Sequence, residues 1–264
     1  MSLKIAVAGK GGTGKTTLCA LIVRCLKDAG KKDILAVDAD PNSNLNEILG
    51  VKLVGTVGQL VEEFKKDGAI ISSGLYKDQL VEMNIHKILI EANGFDLLAM
   101  GRGEGPGCYC AANNLFKKYI DMLQQNYDYV IMDNEAGMEH LSRKTTNDVD
   151  YLLIVSDPSP RGIMAANRIR ELSKELNIKA KETFLIINRV VFNKSFDGNY
   201  INESFILDKR LIEILESYNF NLLGIISQDK NLLDLELDGK DIFSLQADSI
   251  SLNQVKEILN KLKI

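Results

Sequence analysis

Short apolar runs alternate along the chain with longer stretches in which apolar residues recur at helical spacing. The runs at 4–8, 33–37, 95–100, 129–132, 151–155, 183–187 and 222–226 read as strands. The stretches at 16–29, 56–67, 77–92, 115–125, 161–176 and 203–218 read as helices, as does a last one carrying Leu252, Val255, Ile258, Leu259 and Leu262. Such alternation predicts an α/β fold: a mostly parallel sheet of about seven or eight strands with helices on both faces. No internal repeat, low-complexity tract or Pro- or Ser-rich linker interrupts it, so residues 1–264 are expected to form a single domain. Lys256, Lys261 and Lys263 flank the apolar stripe of the last helix. Docking on its own domain is the expected use of that stripe, with a membrane-surface anchor as the alternative.

Composition narrows the class. With 45% hydrophobic and 26% charged residues the chain has the balance of a soluble globular protein and gives no case for disorder. A net charge of −4 provides no basic footprint for nucleic acid. No basic, apolar leader is read in residues 1–30 and no apolar run nears the roughly 18 residues of a membrane span, so a cytoplasmic protein without a leader or stable membrane association is expected. The four cysteines, Cys19, Cys25, Cys108 and Cys110, are too few and too unevenly spaced for a disulfide framework. Reduced thiols or metal ligands are the default. Cys19 and Cys25 fall on different faces of the first helix, which points to core packing.

Residues 9–17, Gly-Lys-Gly-Gly-Thr-Gly-Lys-Thr-Thr, fit G-x-x-x-x-G-K-[ST] between a strand and a helix, the setting a phosphate-binding loop requires. Glycines let successive backbone N–H groups curl round an anion, and the helix start adds its dipole. Gly11, Gly12, Thr13, Gly14, Lys15, Thr16 and Thr17 are therefore candidate nucleotide-binding residues. Lys15 carries charge for the β/γ-phosphates, and Thr16 is placed to ligate Mg²⁺. The alternative is a glycine-rich turn. Asp38 and Asp40 follow the second strand at the sheet edge where such folds bind ligands, with a helix cap as the alternative. Asp133-Asn134-Glu135-Ala136-Gly137 follows the strand at 129–132, again at that edge, and a glycine-rich loop at 101–110 ends in Cys108-Tyr109-Cys110. Asp96 and His86 read as structural.

A second lysine, Lys10, directly after the first glycine resembles the deviant phosphate loop of the MinD/ParA/nitrogenase-iron-protein superfamily of dimeric ATPases. Asp38-x-Asp40-Pro41 resembles that superfamily's first switch, Asp133-x-x-Ala136-Gly137-x-Glu139 its second, and Asn188 its adenine-contacting asparagine. Within it, the stretches 105–110 and 133–140 resemble the CooC-type accessory ATPases that insert nickel into carbon monoxide dehydrogenase; relatives serving acetyl-CoA synthase are similar. Glu135 stands where MinD-like proteins often have proline, which agrees with the nickel group. Ser227-Gln228-Asp229 replaces a proline-containing loop, which leaves the base-binding loop open.

The resemblance implies ATP or ADP as nucleotide, Mg²⁺ held by Thr16 and Asp133 (the latter through water), and Asp38 near the metal's water shell. It implies further that Asp40 orients the attacking water and that the Gly137 N–H senses the γ-phosphate. For Asp133 a helix cap is the plain alternative, and for Gly137 and Asn188 a turn. Lys10 is implied to reach across a two-fold interface to the partner's nucleotide, so a homodimer is expected; otherwise it is a solvated loop lysine. In an extended segment Cys108 and Cys110 project to one side and can chelate one metal. Two thiolates are an incomplete shell, and a dimer would supply four. Four thiolates suit tetrahedral Zn²⁺ or square-planar Ni²⁺, and affinity alone does not choose. Free or bridged loop thiols are the alternative. His140 reads first as a packing or capping residue, with a link between nucleotide and metal loop as the other option.

Three functions compete on this reading. The leading one is a metallochaperone ATPase serving carbon monoxide dehydrogenase or acetyl-CoA synthase. A positioning ATPase on membrane or DNA comes second. An iron–sulfur electron carrier comes third, weakened because its cluster cysteines sit far apart in sequence rather than as C-x-C.

Overall fold

A computed structural model of the protein describes residues 2–66, 84–102, 110–136, 148–191 and 209–264. Its strands are β1 (Leu3–Gly9), β2 (Ile34–Asp38), β3 (Leu89–Ala92), β4 (Phe95–Ala99), β5 (Tyr129–Asp133), β6 (Asp148–Ser156), β7 (Lys179–Val190) and β8 (Leu222–Ser227). They form one eight-stranded sheet in the order β3-β4-β2-β5-β1-β6-β7-β8. Among the described residues, only the edge pair β3–β4 is antiparallel. The helices are α1 (Lys15–Asp28), α2 (Leu45–Ile48), α3 (Val57–Lys66), α4 (Cys110–Leu123), α5 (Pro160–Glu175), α6 (Lys209–Ser217), α7 (Lys230–Leu237) and α8 (Ile250–Lys261).

Both sheet faces are covered, so strands read as apolar runs rather than alternating ones. In β1, Ile5 and Val7 face a core shared with α1, α7 and α8, whereas Ala6 and Ala8 face a second core under α3, α4, α5 and α6. Leu18, Ile22 and Leu26 of α1 are buried against the first of these, each worth about 1.5–3 kcal/mol of transfer free energy. The chain leaves β1 toward β2 on one side, and from β5 crosses to β6 on the other. The crevice for ligands therefore opens at the carboxyl ends of β1 and its neighbours.

The apolar stripe of α8 is docked: Leu252, Val255, Ile258 and Leu259 are buried in the first core. Gly224 of β8 allows that approach, since a Cβ there would fall 2.5 Å from Ile258 Cγ1. The Lys261 ammonium donates to the Leu223 carbonyl at 2.9 Å. Among the described residues, no helix is long and apolar enough to cross a membrane.

One expected element is replaced. Instead of a helix through 77–92, the described part, from residue 84, holds a 3-10 turn (Ile85–Lys87) followed by β3. The pairing Ala92↔Phe95 leaves only Asn93-Gly94 to turn the chain, with Gly94 at φ 88°. Tertiary pairing with β4 overrides the helical spacing of Ile85, Ile88 and Leu89. Residues 77–83, and 203–208 of the later helix, lie outside the described residues. Helices α2 and α7 were not anticipated.

Candidate nucleotide site

The loop between β1 and α1 is built round one carbonyl. Lys10 O accepts from the Thr13 hydroxyl at 2.9 Å, the Thr13 N–H at 3.4 Å and the Lys15 ammonium at 3.4 Å. The Lys10 side chain is exposed, while Thr13 and Lys15 are buried. Gly12 at φ 79° and Gly14 at φ 90° supply left-handed conformations that other residues rarely adopt. Gly9 packs so closely on β6 that a Cβ would fall 2.5 Å from Val155 O. No side chain caps the start of α1, where Gly14 holds the cap position. The first turn thus keeps its N–H groups and positive dipole for an anion.

Asn188, at the carboxyl end of β7, pins this loop from the far side. Its Nδ2 donates to Thr13 O at 2.8 Å and its Oδ1 accepts the Arg189 N–H at 2.8 Å. Beside it lies a cleft of about 300 Å³ lined by Gly14, Leu18, Asn188, Gln228, Leu232 and Leu233, among others. An apolar floor with a polar rim next to a phosphate loop suits a planar heteroaromatic base. The chain's departure at Ser227-Gln228-Asp229 falls on this cleft.

On the opposite side, Asp38 and Asp133 end adjacent strands in register. Burial pushes the Asp38 carboxyl up to about 7, helped by the neighbouring Asp133 charge and opposed by two backbone N–H donors. Those donors are Asp40 N at 3.1 Å and Leu45 N at 3.0 Å, so Asp38 organises the 38–45 loop. The Asp40 carboxylate is half-buried and accepts from Asn42 N at 2.8 Å. Burial also pushes Asp133 up to about 6, against the pull of a hydrogen bond from Thr16 and the Lys15 charge. Asp133 Oδ1 is buried without a hydrogen-bond partner. A buried carboxylate oxygen in need of a donor or cation, beside a threonine hydroxyl and the anion-binding loop, fits Mg²⁺, which takes one or two such ligands plus phosphate oxygens.

The structure therefore brings together Lys10, Gly11, Gly12, Thr13, Gly14, Lys15, Thr16, Thr17, Asp38, Asp40, Asp133 and Asn188 along one edge of the sheet. Ala136 lies against Gly11, where a Cβ would be 3.6 Å from the alanine's. Gly137, Cys108 and His140 lie outside the described residues. Cys110 is the first residue of α4, so the extended geometry expected of the cysteine pair does not continue past it. Cys19 and Cys25 are buried in the core, as their spacing implied. Among the described residues, no group of three or more His, Cys, Asp or Glu could hold a metal ion by itself.

The sequence missed the cleft's outer wall, Leu232, Leu233 and Glu236 of α7. Its only signal was Asp229, whose carboxylate caps the helix by accepting from Asn231 N at 2.9 Å.

A glycine-rich anion cradle, a buried lysine, a threonine–aspartate pair and an adjoining base-sized cleft on a doubly wound sheet define a P-loop nucleotide-binding protein. The comparisons agree. The AAA domain family AAA_31 matches residues 3–186, and the chain belongs to that family, in the company of ParA- and MinD-type ATPases. An ATP-binding protein of Methanocaldococcus jannaschii is 38% identical, with 98% of this chain and 97% of the relative covered. The carbon monoxide dehydrogenase accessory protein CooC of Rhodospirillum rubrum is 30% identical over 92% of this chain and 90% of its own. Among solved structures, the MinD cell division protein of Aquifex aeolicus superposes with a TM-score of 0.70 over 99% of this chain and 97% of its own, at 23% identity.

Proposed function

We propose that residues 1–264 act as one Mg²⁺-dependent ATPase domain, and that a homodimer of it carries nickel to carbon monoxide dehydrogenase or acetyl-CoA synthase. The observation that carries this reading is the coincidence of the Cys108-x-Cys110 pair with a full-length relationship to a carbon monoxide dehydrogenase accessory protein. Topology supports it: residues 101–102 leave the carboxyl end of β4, next to β2 with Asp38 and Asp40, on the edge that carries the phosphate loop, and the described chain resumes at Cys110, the start of α4.

In this reading the protein's work is positioning and charge neutralisation around an in-line attack on the γ-phosphate. Lys15 and the loop N–H groups hold the β/γ-phosphates, and the Gly137 N–H senses the last one. Thr16 and Asp133 would hold Mg²⁺, with Asp38 behind its water shell; the ion's chemistry there is to neutralise phosphate charge. Asp40 orients the attacking water and Asn188 meets the base. Lys10, with its side chain exposed and its carbonyl engaged in the loop, is free to serve a partner's nucleotide. Cys108 and Cys110 hold the cargo, Ni²⁺, at a site that also suits Zn²⁺, with the partner's pair completing four thiolates. Closure of the dimer on ATP is thereby linked to the shared metal.

The test is anaerobic reconstitution. Nickel-free carbon monoxide dehydrogenase is incubated with this protein, Ni²⁺ and MgATP, and activity is compared with that obtained from a Lys15→Ala variant. Activation by the wild type alone supports the mechanism; equal activation by both rejects nucleotide-driven delivery.

A further inference from the structure

The loop that closes the base side of the cleft, Ser227-Gln228-Asp229, is held by α8 through two buried polar junctions. In the first, Gln254 accepts the Ser227 N–H on Oε1 at 2.8 Å and donates Nε2 to the Ser227 hydroxyl at 2.9 Å. In the second, Asp229 Oδ2 accepts from the Ser249 hydroxyl at 2.5 Å, the Ser251 hydroxyl at 2.8 Å and the Ser251 N–H at 3.1 Å. Gln228 between them donates its N–H to Val190 O at 2.9 Å. Ser227, Asp229, Ser249, Ser251 and Gln254 are all buried.

Apolar packing alone already docks α8, because Leu252, Val255, Ile258 and Leu259 fill the core beneath it. The polar junctions add something packing does not: they fix position and orientation of three consecutive loop residues, since buried donors and acceptors tolerate little displacement once paired. Those residues line the cleft next to Asn188 and Gly14, and the Gln228 side chain stays exposed at the rim. Asn188 ties the same cleft to the phosphate loop through Thr13. Base wall and phosphate cradle are thus set at a fixed separation, which is what discriminating a base-bearing nucleotide from a bare polyphosphate requires.

We propose that Gln254, with Ser249 and Ser251, is a positioning residue for the nucleotide base: the C-terminal helix sets how tightly the base, and not the phosphates, is held. This rests on the nucleotide reading of the phosphate loop. The test compares MgADP with Mg-pyrophosphate, which lacks the base, by titration calorimetry on the full chain. Gln254→Met keeps the size and removes both hydrogen bonds. Gln254→Glu keeps both, because the serine hydroxyl can turn to donate.

Gln254→Met is expected to weaken MgADP about tenfold and leave Mg-pyrophosphate within about twofold, while Gln254→Glu stays within about threefold of wild type for both. Unchanged MgADP affinity in Gln254→Met overturns the proposal. So does an equal loss for both ligands, the mark of general damage. If Gln254→Met does not fold, Ser251→Ala replaces it under the same criteria. A wild type that binds neither ligand rejects the nucleotide reading itself, so the two failures are distinguishable.

Discussion

Gly14→Ala puts the geometry of the site under its sharpest strain. Gly14 sits at φ 90° and ψ 29°, and a Cβ there would run into Asn188 Nδ2, the group that donates to Thr13 O. Left-handed backbone at a non-glycine residue costs about 1–2 kcal/mol. Loss of the asparagine–carbonyl bond adds about 0.5–1.5 kcal/mol. Alanine therefore destabilises the loaded loop by about 1.5–3.5 kcal/mol, which predicts MgADP binding weakened by roughly 10- to 400-fold. The loop can relax by leaving the cradle geometry, so the loss falls mainly on affinity and less on urea stability. Titration calorimetry with MgADP, beside urea unfolding, separates the two. The collision is checked with Asn188→Ala: the double variant should recover about 1 kcal/mol of MgADP binding free energy relative to the sum of the singles. Wild-type MgADP affinity and stability in Gly14→Ala would show that neither the backbone nor the asparagine contact shapes the site.

Further expectations follow from other residues. Asp133→Asn should remove most of the Mg²⁺ dependence of ADP binding, read by titration with and without the ion; full dependence in the variant contradicts the metal assignment. Lys10→Ala should bind MgADP normally yet lose about 10³-fold or more in ATP turnover, because its proposed role is transition-state charge in a partner's site; unchanged steady-state phosphate release excludes it. The Asp229 carboxyl is buried, but hydrogen bonds from Ser249 and Ser251 hold it below the usual range. A depressed folded-state value contributes stability above the unfolded value and loses it in acid. Asp229→Asn should thus be less stable than wild type at pH 7, with the gap narrowing below about pH 4, measured by urea unfolding across pH. A gap constant with pH contradicts that electrostatic reading.

Most of the sheet was legible because both-face burial makes central strands continuous apolar runs, and the phosphate loop because its glycines answer to a local backbone demand. The edge strand β3 was not. Ile85, Ile88 and Leu89 have helical spacing, and the cue against a helix was Asn93-Gly94, a hairpin signal that outweighs such spacing. The candidate site divides similarly. Lys15, Thr16, Asp38 and Asp133 are visible in short motifs, whereas the Ser227–Gln254 and Asp229–Ser249 junctions join residues far apart in sequence. Asp38 shows the limit of motif reading: its two oxygens are used by Asp40 N and by Leu45 N at the start of α2, close to the helix-cap role that the sequence offered only as the alternative.

The central claim, a metal carrier built on a nucleotide switch, is tested most directly by anaerobic equilibrium dialysis against Ni²⁺ with MgATP present, with metal quantified by mass spectrometry. The account predicts one tightly bound nickel ion per two chains in the wild type and none in Cys108→Ser/Cys110→Ser, which still binds MgADP. Equal, tight nickel binding by wild type and double variant would contradict it.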